Sequence, residues 1–215
     1  MNPSSDELRS DPRFHLLDEL EFVDMVRFIM DKIRTPSFIT RFFWSLHLLY
    51  LTVVFFLSAT YLSAPRDGSS HFIWLILAGF ALGSVAVVPF HEGLHALTYR
   101  FTGAKKIKFG ADFRQMIFFV SADNYVISGR QLVVVALAPF VVINLTVLIS
   151  LFFMDIRWQI LSMVFLLSHN VMCLGDFAMV NYVYHHRYMK IYTFDLTGEK
   201  KSYIYGLSKT EHEER

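Results

Sequence analysis

The sequence predicts a membrane protein with an all-α core: four transmembrane helices, a small cytoplasmic β-hairpin between the second and third, and another hairpin in the tail. Three observations predict it. Hydrophobic residues make up 54% of the 215 positions and charged residues only 18%, against about 45–50% and 25% in a soluble domain. Charge is absent from four long stretches, each close to the ~20 apolar residues that cross a hydrocarbon core of ~30 Å. Lys and Arg concentrate on alternate connections between those stretches. The same composition excludes disorder, a collagen-like fibre and a coiled coil. A net charge of +1 supplies no global field for nucleic acid. The single cysteine, Cys173, excludes an internal disulfide framework.

Taken in order, residues 1–41 form a cytoplasmic N-terminal segment. Within it, 5–34 read as one amphipathic helix or two, with Leu16, Leu17, Leu20, Phe22, Val23, Val26, Phe28 and Ile29 set among acids and bases. The membrane unit covers 42–184, with spans at about 42–63, 72–99, 131–154 and 158–184. Charge is missing from 42–63, 72–90, 131–154 and 158–175. None shows the polar stripe of a soluble core helix. The first span follows a long polar segment and has no cleavage site where a signal peptide needs one, so the N-terminus is expected to stay intact. Lys and Arg number 6, 1, 6, 1 and 6 along the successive non-membrane segments. That alternation places both termini and the middle loop in the cytoplasm, and the 64–71 and 155–157 connections outside. In the middle loop, 105–129, Ile107, Phe109, Ala111 and Phe113 alternate with polar residues, which is hairpin patterning. The tail, 185–215, carries a second hairpin candidate turning near Thr197-Gly198.

An ionisable group inside a span is costly and therefore marks function. The second span runs into His91-Glu92-Gly93-Leu94-His95, an H-E-x-x-H element. Residues i and i+4 share a helix face, so both imidazoles reach one metal ion. Glu92 sits beside them, able to take a proton without ligating. Catalytic zinc takes three protein ligands and keeps one open position. Asp176 is the only acid in the other three spans. It lies 19 residues into the fourth span, as His91 lies 19 residues into the second. Both spans run from outside to inside, so both sites sit about 28 Å along their helices at 1.5 Å per residue.

Other features are weighed against plainer readings. His169, Cys173 and Asp176 share a face of the fourth helix; His169 reads more readily as a packing residue than as a partner of a ligand, and Cys173 as core. Gly93 and Gly175 read equally as close-approach sites and as ordinary packing. Pro89 is a possible kink before the motif. His47 and Asn144 read as inter-helix hydrogen-bond partners.

HEGLH at the cytoplasmic end of one span, Ala138-Pro139 in the next and Gly175-Asp176 in a later one together resemble a family of small membrane proteins described as putative zincin peptidases. That family is itself similar to the site-2 intramembrane zinc proteases. The resemblance runs from about the first span to the tail hairpin. It implies that His91 and His95 ligate zinc, that Asp176 is the third ligand and that Glu92 is the general base. Site-2 proteases usually place the ligand Asp before a Gly, in an Asn/Pro-containing stretch. Here the order is Gly175-Asp176, no proline is near, and Asn170 is the closest asparagine.

The leading expectation is an integral-membrane zinc metallopeptidase of the cytoplasmic membrane. It would cleave membrane or membrane-proximal polypeptides, possess Zn2+ as cofactor and the lipid bilayer as partner, and bind no nucleic acid. Nothing in the sequence sets an oligomeric state. The alternative is a non-catalytic metal-binding membrane protein, such as a sensor, scaffold or pseudoprotease. A haem protein fits poorly, because axial ligands come from opposite faces. A transporter lacks a pseudo-repeat of spans.

Overall fold

A computed structural model describes residues 2–63, 69–112 and 117–208. Residues 1, 64–68, 113–116 and 209–215 lie outside the described residues, and with them Phe113 of the hairpin pattern and four of the counted Lys and Arg residues, Arg66, Arg114, Lys209 and Arg215.

The protein is mostly helical, with two small antiparallel sheets. Helix α1 spans Ser5–Ser10, α2 Met25–Arg34, α3 Phe38–Ser63, α4 Ser69–Ala81, α5 Val88–Thr102, α6 Gly129–Ser150, α7 Ile156–Met172 and α8 Leu174–His185. Among the described residues, three helical runs are long and apolar enough to cross a membrane: Phe38–Ser63, His71–Thr102 and Gly129–Phe153. A fourth exists if α7 and α8 count as one, but they are bent by 50° at Cys173.

Local chemistry sets the helix ends. The Ser37 hydroxyl accepts the Thr40 amide at the start of α3, and Ser128 with Gln131 forms a capping box on α6. Helix α5 stops where Gly103 takes φ +105°, a left-handed conformation that glycine adopts without a Cβ clash. A π-helical turn, Leu82–Ala86, separates α4 from α5, and Pro89 follows in the first turn of α5. The interruption falls just before the HEGLH element.

The outward faces are apolar. Phe55 is 66% exposed and Trp74 70%, as a lipid-facing surface requires and a water-facing one does not. Between the helices, Tyr50 of α3 donates to Asn144 of α6 at 2.9 Å, and Asn144 donates to Asn170 of α7 at 2.8 Å. These buried polar groups satisfy one another across three helices. Asn144 is thus an inter-helix partner as expected, whereas the hydrogen bond of His47 is to Phe43 O of its own helix. The tight approach of helices comes from glycines the sequence did not single out. A Cβ on Gly79 would meet Leu161 O at 2.6 Å, and one on Gly83 would meet Phe165 O at 2.3 Å. Gly93 has nothing within 4 Å, and Gly175 only Ile29 Cδ1 at 3.4 Å.

Strand β1 is Phe14–Glu21, β2 Ile107–Asp112, β3 Ile117–Ala122, β4 Ile127–Ser128, β5 Met189–Leu196 and β6 Lys201–Ser208. Both expected hairpins are present: β2 pairs with β3, and β5 with β6 through a turn at Thr197–Lys200. The larger sheet runs β1-β6-β5-β4. One expectation is corrected here. Residues 14–21 are strand, not amphipathic helix. A register shift between Leu16 and Asp18 is a bulge that breaks the period-two pattern, leaving Leu16, Leu17 and Leu20 at spacings that imitate a helix. The tail hairpin is likewise the centre of the sheet rather than a separate appendage.

The sheet packs through Ile191 and Ile204 against Phe28 of α2 and Tyr182 of α8. Asn181 of α8 donates to Lys32 O and Thr35 O, and accepts from Ser37. The end of α5, the start of α6 and the end of α8 therefore meet the strands at one end of the helix bundle, and Ser37 ties the start of α3 to α8.

Candidate metal centre

The α5 helix presents His91 and His95 on one face, one turn apart. The 50° bend after Cys173 turns the first residues of α8 toward them, which brings Asp176 into range. His91 Nε2 lies 3.1 Å from His95 Nε2 and 3.5 Å from Asp176 Oδ2, and His95 Nε2 lies 3.3 Å from Asp176 Oδ1. Each imidazole meets a different oxygen of the carboxylate, so three groups rather than three single atoms form a triangle. Four ligands around zinc at 2.0–2.1 Å sit about 3.3–3.4 Å apart, close to these separations.

The hydrogen bonds around the triangle argue for a cation within it. His95 Nδ1 lies 2.9 Å from the carbonyl oxygen of Val135. A carbonyl only accepts, so Nδ1 carries the proton and, in neutral imidazole, Nε2 presents a lone pair. His91 Nδ1 faces His169 Nε2 at 3.1 Å. With His91 Nδ1 as the donor, its Nε2 also presents a lone pair. Asp176 Oδ2 is buried and has no hydrogen-bond partner among the described residues. Acceptors converging at this distance repel one another unless a positive centre lies between them. His91, His95 and Asp176 thus fit a divalent ion by spacing, tautomer and charge.

One cavity of about 500 Å³ reaches the triangle, lined by His91, Glu92, His95 and Asp176. Glu92 shares this wall without belonging to the triangle. The sequence missed the opposite wall. It comes from Leu20, Phe22, Met25 and Ile29 of the N-terminal region and from Phe119, Val120 and Ala122 of β3. The chain brings these segments together through β1 pairing with β6, α2 packing on α8 and Phe22 meeting Phe119, so no local signal marks them. Asp195 also lines the cavity. It accepts from Ser121 and Ser202 at 2.8 and 2.5 Å, and burial pushes its carboxyl above the usual carboxylate range.

Residues 84–191, about half of the chain, match the profile of a family described as "putative zincin peptidase". The chain belongs to that family. The family region contains the whole triangle and Glu92. No curated protein and no solved structure matches the chain.

The family's description implies zinc, and these residues are candidate ligands for it. His169, read as a packing residue from sequence, is fully buried and faces the Nδ1 side of His91. It holds the position that usually orients a metal-ligating histidine. Cys173 is core, as expected.

Proposed function

We propose that the protein is an integral-membrane zinc metallopeptidase that hydrolyses membrane or membrane-proximal polypeptides. The observation that carries this reading is the 3.1–3.5 Å triangle of His91, His95 and Asp176 on the same cavity as Glu92. Zinc, when bound, supplies Lewis acidity at the scissile carbonyl and makes water acidic enough to lose a proton near pH 7. Glu92 accepts that proton and returns it to the leaving amine. His169 and Val135 O hold the two imidazoles in the tautomers that turn Nε2 inward.

Substrate binding is the work of β3. This strand pairs with β2 on one side, and Val120 and Ala122 line the cavity. An extended polypeptide laid along its other edge gains main-chain hydrogen bonds. Its scissile bond then comes to the triangle.

The membrane unit is 42–184, spanning a cytoplasmic membrane four times with the α7–α8 pair as a broken fourth span. The N-terminal segment and the tail both face the cytoplasm. The 6-1-6-1-6 distribution of Lys and Arg and the gathering of all strands at one end of the bundle support this orientation.

The test uses detergent-purified protein and a quenched-fluorescent peptide library. Wild type carries about one zinc per chain by mass spectrometry and cleaves a subset of peptides. Glu92→Gln keeps its zinc and loses cleavage. Cleavage retained by Glu92→Gln, or wild type free of metal, overturns the proposal.

A further inference from the structure

A second pair of donors lies one layer deeper than the triangle. His169 and Cys173 stand at i and i+4 on α7 and its junction with α8, the same spacing that sets His91 and His95 on one face of α5. Cys173 Sγ lies 3.7 Å from His169 Nε2, and His169 Nε2 lies 3.1 Å from His91 Nδ1. The three donor atoms all fall within 4.8 Å of one another, and all three residues are buried. His91 thus stands between two donor sets and turns a different ring nitrogen to each.

We propose that His91, His169 and Cys173 form a second metal site, selective for a soft monovalent ion such as Cu(I), whose filling excludes metal from the His91–His95–Asp176 triangle. Selectivity follows from softness and donor number. Thiolate and imidazole together suit Cu(I). Three donors converge here among the described residues, whereas a closed zinc site takes four. His169 and Cys173 are both fully buried. The thiol proton of Cys173 leaves as the ion binds.

Exclusion follows from the imidazole ring. A neutral histidine has one proton and one lone pair on its two nitrogens. When Nδ1 of His91 binds an ion, the ring proton moves to Nε2 and that nitrogen can no longer ligate in the triangle. The reverse holds when Nε2 is occupied. Holding both ions at once requires loss of the last ring proton. The ion has a route inward, since His91 and Met172 line the cavity. The site rests on these donors alone, but its consequence for catalysis rests on the metallopeptidase reading.

The experiment titrates full-length, zinc-loaded protein in detergent, without oxygen, with Cu(I) buffered by a chromogenic chelator. Wild type takes up about one Cu(I) and releases about one zinc. Copper K-edge absorption then shows one sulfur and two nitrogen neighbours. Cys173→Ser keeps its zinc and binds Cu(I) at least about tenfold more weakly, the lower end of what even an outer partner of a metal is worth. Asp176→Asn holds little zinc and binds Cu(I) as wild type does.

No sulfur neighbour in wild type, or equal Cu(I) affinity in Cys173→Ser, overturns the site. Cu(I) uptake without zinc release overturns the exclusion. Wild type that binds Cu(I) through sulfur but never holds zinc keeps this site and sinks the metallopeptidase reading. Zinc without Cu(I) does the opposite.

Discussion

In the proposed centre Asp176 would have two tasks that its position explains. It closes the donor triangle, and its negative charge would offset that of a cation in a buried place. Asp176→Asn keeps the shape and removes the charge. Its zinc affinity, measured by competition with a chelator, is expected to fall by more than the about 10–100-fold seen when an outer partner is lost. An unchanged affinity would remove Asp176 from the ligand set. Glu92 is the complementary case. It lines the cavity beside the triangle, so its loss as Glu92→Gln costs turnover and spares metal. The histidine–glutamate element and the buried aspartate were legible in the sequence because both violate the apolar rule of a span. The partner of His91 was not legible. A lone histidine at a buried helix position reads the same whether it faces leucine or another imidazole, and only the packing of α5 against α7 decides which.

At the scale of elements, the contact of α4 and its π-helical turn with α7 depends on absent side chains. Gly83→Ala places a Cβ 2.3 Å from the carbonyl oxygen of Phe165, backbone that cannot rotate away. A loss of about 1–3 kcal/mol is expected, read as a lower unfolding temperature in detergent. Gly93→Ala is the contrast. An added Cβ there meets nothing within 4 Å among the described residues beyond its own helix, and alanine favours helix by up to about 1 kcal/mol, so unfolding should shift upward or stay. Equal losses at the two positions would contradict the packing described.

The β2–β3 hairpin has its own tie to the sheet. Lys108 donates to Asp123 at 2.9 Å and to Thr197 at 2.6 Å, and Thr197 donates to Asp123 through both its amide and its hydroxyl. Lys108 and Thr197 hold the Asp123 carboxyl at about 2, below its ordinary value of 3.8. A depressed folded value means the tie is complete above pH 3.8 and fades as pH falls from there toward about 2. The pair is exposed, so the effect is less than about 1 kcal/mol. The difference in unfolding temperature between wild type and Asp123→Asn should be constant near neutrality and shrink across that acid window. A difference that grows on acidification would reverse the sign.

Across the whole molecule, one labelling experiment tests the proposed orientation in the membrane. The native thiol of Cys173 is fully buried, so an impermeant thiol reagent meets little background. Ser4→Cys should be protected in intact cells and labelled after lysis. Arg157→Cys, at the opposite end of α7 from Cys173, should be labelled in both. The reverse pattern would invert the topology and place the cavity outside the cell.

The sequence by itself determined the apolar runs, the two hairpins and the residues of the candidate metal centre. Each is written in a local code: missing charge over a membrane's thickness, alternation over a strand, and metal-ligand spacing over one helical turn. Tertiary structure decided the rest. It made residues 14–21 a strand, because the hydrogen bonds that hold them come from β6 and a bulge hides their alternation. It bent the α7–α8 pair at Cys173, turning Asp176 toward α5. It roofed the cavity with the N-terminal region, and it set His169 against His91. These contacts join residues far apart in the chain, where no pattern in either segment specifies the other. They are chosen only when burial and hydrogen bonding are satisfied for the molecule together.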